Sequence, residues 1–162
     1  MKILLVLLLL FPTLTQAANV EKGFIVLLQP DMSLREKDPD MDSVSDYIKV
    51  AQNELSKLLA SEKLPKASGF MVFAIRTGGL SNVWLDFKPG FSPELEAKIL
   101  HSLKAIPPFK VAKGTMVFAL SASINGADQP AGPTPFPKEW QAAMSDPKEP
   151  MEVEALVLRV WP

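Results

Sequence analysis

Few side chains in this chain can do chemistry at neutral pH. Its 162 residues hold one histidine, His101, and no cysteine. A thiolate nucleophile, a cysteine-held metal and a disulfide are therefore excluded. His101 shares the polar side of a helical pattern with Glu94 and Lys98, where a general base has neither cleft nor partner, so it reads as a solvated surface residue. No serine lies in a G-x-S-x-G elbow. Asp31, Asp38, Asp40 and Asp42 form an acidic stretch without the ligand spacing or central glycine of a calcium loop. Gly78-Gly79 lacks the Lys-Ser/Thr of a phosphate loop and leads into a strand pattern, so it reads as a turn. The expectation is no catalytic residue, no metal and no cofactor. The alternative is a small secreted hydrolase that uses carboxylates alone, Asp86 with a glutamate from elsewhere.

Apolar side chains give the stronger signal. Two strand-like runs flank Gly78-Gly79, a pair suited to the positive φ angles of a tight hairpin turn. A two-residue loop would set Phe73 opposite Trp84, Ala74 opposite Val83 and Val72 opposite Leu85. Phe70, Val72, Ala74, Val83, Leu85 and Phe87 would then form the core face, because side chains alternate across a sheet. Met71, Phe73, Ile75 and Trp84 would share the other face, which is too apolar for plain solvent. They are the candidate partner-binding face, open to a partner or covered by the C-terminal segment.

These residues need a scaffold, and the rest of the chain spells one. Residues 22–29 hold a short apolar run stopped by Pro30, the length of a buried strand. Residues 31–40 read as a charged loop. Val44, Tyr47, Ile48, Ala51, Leu55, Leu58 and Leu59 make one stripe of a helix over 42–59. Residues 92–106 predict a second helix, with Ser92 as cap, Pro93 at the first helical position and Pro107-Pro108 as stop. Met116, Phe118, Leu120, Ala122 and Ile124 alternate, which predicts a strand over 114–124. A Gly/Pro/Ala-rich loop covers 125–137, a short helix surrounds Trp140, and 153–161 reads as a strand. That strand and the one at 24–28 are the natural candidates to extend the sheet or to cover its second face.

The N-terminus has the layout of a secretory signal. Lys2 precedes an unbroken apolar run from Ile3 to Phe11, Pro12 ends it, and Ala17-Ala18 suits cleavage. The run is well short of the ~20 residues of a spanning helix. A signal peptide over 1–18 is therefore expected, then one domain over 19–162 with no transmembrane segment after cleavage. Net charge is −1 and the basic residues are scattered, which gives no footprint for nucleic acid.

The order of helix, hairpin, helix and strand over residues 42–124 resembles the C-terminal domains of the TolA and TonB envelope proteins. The likeness is carried by Asp46-Tyr47-Ile48 in the first helix and by Ser68-Gly69-Phe70-Met71-Val72 at the first strand. Gly78-Gly79-Leu80-Ser81-Asn82-Val83 at the turn and Lys104-Ala105-Ile106-Pro107-Pro108-Phe109 after the second helix continue it. Phe87-Lys88-Pro89-Gly90 stands where that family has a Ser-Ser-Gly motif. The resemblance implies an α+β fold: an antiparallel sheet around the 69–87 hairpin with two helices packed on one face; residues 125–162 are a C-terminal extension that departs from the family pattern. The signal alone predicts a periplasmic or secreted location, and the resemblance favours the periplasm. The expected function is an exported, non-catalytic binding or adaptor module of the cell envelope. Its partner would be an envelope protein or cell-surface component, engaged by a sheet edge or by the Trp84 face.

Overall fold

Nine elements are strung along the residues that the computed structural model describes, 17–132, 134–144 and 151–162. They are β1 (Val20–Leu27), α1 (Asp31–Lys37), α2 (Met41–Leu59), β2 (Ala67–Arg76) and β3 (Leu80–Lys88), then α3 (Pro93–Lys104), β4 (Thr115–Ile124), α4 (Lys138–Ala143) and α5 (Val153–Arg159). The expected signal peptide lies almost wholly outside the described residues. None of the described helices is long and apolar enough to cross a membrane.

Local chemistry sets the two long helices. The Asp40 carboxylate accepts from Ser43 N at 3.1 Å at the head of α2, and the Ser43 hydroxyl and amide hold that carboxyl below its ordinary pKa. The Ser92 hydroxyl accepts from Leu95 N at 3.3 Å, with Pro93 opening α3. Both helices lay their apolar stripes on one face of a four-stranded antiparallel sheet ordered β1-β4-β2-β3. Tyr47, Phe109 and the stacked pair Phe73–Phe118, 5.4 Å apart, form the aromatic centre of that layer.

The second face is covered too. Trp140 of α4 and Leu156 and Val157 of α5 bury Phe70, Val72, Ala74, Trp84, Val117 and Ala119. The result is three layers, helices on both sides of one sheet. It explains why the central strands β2 and β4 are apolar on both faces.

Three expectations are corrected. Residues 31–37 are helical, with Asp31 at the positive end of α1 and Arg35 and Lys37 at its negative end. The segment read as a C-terminal strand is α5: Val153, Leu156, Val157 and Val160 fall at i, i+3, i+4 and i+7, one helix face turned onto the sheet. It covers Phe70, Val72, Ala74 and Trp84, not the face with Met71, Phe73 and Ile75 that this segment was expected to cover, while β1 extends the sheet. The hairpin loop has three residues rather than two, because Arg76 pairs with Leu80 and Thr77 N donates to Gly114 O at 3.1 Å. Gly78 and Gly79 take φ of +87° and +74° there, where side chains are disfavoured. The slip sets Phe73 opposite Val83 and Val72 opposite Trp84. One residue of slip turns every β3 side chain over relative to β2. Both faces of β2 are greasy, so hydrophobic alternation did not choose between the two registers.

Candidate functional site

The register correction dissolves the expected binding face. Met71, Phe73 and Ile75 point into the α2–α3 layer, whereas Trp84 points the opposite way beneath Trp140, their rings 5.7 Å apart and near perpendicular. All four are buried, so no partner reaches them in this fold.

The carboxylates of the hydrolase alternative sit near the β3 edge. Asp86 and Glu96 line one shallow groove with Phe91, Lys138 and Gln141. Each is already engaged: Asp86 Oδ2 accepts from Phe136 N at 2.7 Å and Glu96 Oε1 from Lys138 Nζ at 2.5 Å. The Glu96 hydrogen bond raises the Lys138 pKa. His101 is exposed on α3. Among the described residues no three His, Asp or Glu side chains converge as metal ligands would.

A buried polar knot, invisible in the sequence, lies where β1 ends. Leu28 N donates to Val117 O at 3.2 Å, and Pro30, which has no N–H, stops the strand. The Gln29 side chain then takes the place of strand backbone: its Oε1 accepts from Val117 N at 2.9 Å and its Nε2 donates to Thr115 O at 3.0 Å. Glu154 of α5 continues the substitution, with Oε1 accepting from Thr115 N at 2.8 Å and Oε2 from Lys37 Nζ at 2.6 Å. Lys37 is buried, and the pair satisfies it. The knot closes the β4 edge beyond Leu28 with side chains that are committed to one another.

Among the described residues, nothing pairs with the outer edge of β1 before the knot. Phe24 N donates to Ser121 Oγ at 2.7 Å, and that hydroxyl donates back to Phe24 O at 3.2 Å. Gly23 permits this approach, because a Cβ there would sit 2.1 Å from Ser121 Oγ. Backbone groups alternate sides along a strand. With Phe24 and Leu28 turned toward β4, Val26 is too, and the N–H and C=O groups of Ile25 and Leu27 face outward. Phe24, Ile25 and Leu27 are 41%, 51% and 52% exposed, the open apolar run of the sheet. On the helix side, Leu27 leads into a groove of about 460 Å³ walled by Leu34, Met41 and Met116, with Arg35 and Asp38 at its rim. The apolar run at 24–28 was legible in the sequence. Its place at the sheet margin was not, because a continuous run reads as a strand buried on both faces.

Fold and edge together define a class: a three-layer α+β domain whose apolar margin strand has, among the described residues, no partner on its outer side. No family model, curated protein or solved structure matches the chain.

Proposed function

We propose that this chain is an exported, non-catalytic binding module of the cell envelope that takes an extended strand from a partner along the outer edge of β1. One observation carries the reading: the outward backbone groups of Ile25 and Leu27 lie between half-exposed apolar side chains. Soluble proteins blunt such edges with charge, proline or cover unless pairing uses them. The signal-like N-terminus supports export, and the pattern likeness of residues 42–124 to TolA and TonB C-terminal domains supports an envelope partner. The prior engagement of Asp86 and Glu96 weighs against the hydrolase alternative.

Site-specific photo-crosslinking in cells tests it. A photoreactive residue at Leu27 is expected to give a discrete adduct with one envelope protein. The same probe at Leu80, equally exposed on the β3 edge, gives none. Ile25→Lys should abolish the Leu27 adduct. Equal labelling from both edges, or an adduct indifferent to Ile25→Lys, would overturn the reading.

A further inference from the structure

We infer that, without that partner, the β1 edge pairs antiparallel with the β1 edge of a second copy, on a twofold axis through Val26, joining two four-stranded sheets into one. The inference rests on the reading that β1's outer edge is the binding edge, and it names the occupant when no partner is present. Its basis is the symmetry of the run itself. Phe24-Ile25-Val26-Leu27-Leu28 is apolar throughout, and its outward hydrogen-bonding residues, Ile25 and Leu27, stand one step either side of Val26. Antiparallel strands exchange both hydrogen bonds at alternate residue pairs. In this register Ile25 of each copy exchanges both with Leu27 of the other, Phe24 faces Leu28, and the two Val26 residues face each other in a non-hydrogen-bonded pair.

Other registers are poorer. A shift of two residues sets Gly23 against Leu27, and larger shifts in that direction lay Glu21 and Lys22 on the apolar run. The opposite shift sets Pro30 against Phe24. The irregularity between Lys22 and Ile25 and the proline at 30 bound the edge on both sides, which suits one short closed pairing over a continuing fibril. Such a contact is isologous, so each copy closes the edge that the other leaves open.

The absence of native cysteine makes the register directly testable. Facing residues of a non-hydrogen-bonded pair have Cα atoms about 4.5 Å apart, within disulfide reach, whereas diagonal neighbours stand about 7–8 Å apart. In the purified exported chain, Val26→Cys is expected to form a disulfide-linked dimer under mild oxidation. Ile25→Cys is expected to stay largely reduced. By light scattering the wild type should show twice the chain mass, and the Ile25→Lys/Leu27→Lys double variant a single mass with one cooperative melt whose midpoint no longer depends on protein concentration. Its half-dimer concentration should rise at least tenfold. A wild type that stays monomeric, or Ile25→Cys crosslinking as readily as Val26→Cys, would overturn the inference. If the wild type is monomeric while the Leu27 adduct with an envelope protein persists, self-pairing falls and the binding reading stands. A Lys-sensitive dimer with no envelope adduct does the reverse.

Discussion

Tyr47 carries its hydroxyl into the aromatic centre formed with Phe73, Phe109 and Phe118, and among the described residues the oxygen has no hydrogen-bond partner. Desolvation pushes its pKa well above the usual 10. In the unfolded chain the phenol ionises near its ordinary value, whereas the folded chain keeps the proton. Its contribution is thus intact below pH 10, and stability falls as pH rises above that value toward the folded pKa. Tyr47→Phe removes an unpaired buried hydroxyl, and is expected to be neutral or stabilising by up to about 1 kcal/mol in urea at neutral pH. The variant should also resist alkaline unfolding better. Tyr47 is the only tyrosine, so tyrosinate absorbance in the wild type should rise together with unfolding. Absorbance rising near pH 10 while the fold persists would show the phenol reached by water. The stripe containing Tyr47 was legible at helical spacing; the solitude of its hydroxyl depends on residues from β2, β4 and the 109 loop, which no local pattern foretells.

At the scale of the element, the hairpin shows how much one residue decides. Thr77 belongs to the loop, and its presence keeps Val83 and Phe87 in the α2–α3 layer and Trp84 under Trp140. Deleting Thr77 leaves Gly78-Gly79 as a two-residue connection and turns β3 over, driving Asp86 toward the helix layer and Val83 away from it. The cost should exceed 4 kcal/mol, since a carboxylate enters an apolar core and the Trp84–Trp140 contact is lost. Near-ultraviolet circular dichroism and urea titration would read it; a variant with native tryptophan signals and midpoint would contradict the assigned register. The long helices and the strand at 115–124 were plain from spacing and caps. Of the short ones only α4, around Trp140, was: α1 has only seven residues, and α5 offered an apolar run that fits either period until Val153, Leu156, Val157 and Val160 are set on one face.

Considered whole, the molecule closes by bringing distant stretches together. Gln29 and Glu154 meet 125 residues apart in sequence, Lys37 and Glu154 117 apart, and β1 pairs with β4 across most of the chain. Removing residues 151–162 takes away Leu156, Val157 and the acceptor for Thr115 N, and leaves Lys37 buried without its counter-charge. The shortened chain should lose cooperative unfolding and bind a hydrophobic dye, because the part of the sheet face beneath α5 is uncovered and Lys37 is left unpaired. A sharp native-like melt would show that α5 is dispensable. Sequence reasoning could not foresee this knot, since neither Lys37 nor Glu154 carries a local mark of its distant mate.

The late position of Glu154 also governs when the protein can fold during synthesis. A nascent chain has β1, β2, β3 and β4 in hand long before the ribosome releases the glutamate that locks the far end of the sheet. Pairings this far apart form slowly. That end of the sheet therefore stays unlocked until α5 has been made, and a chain halted before Glu154 should be cut by protease more readily than the full one.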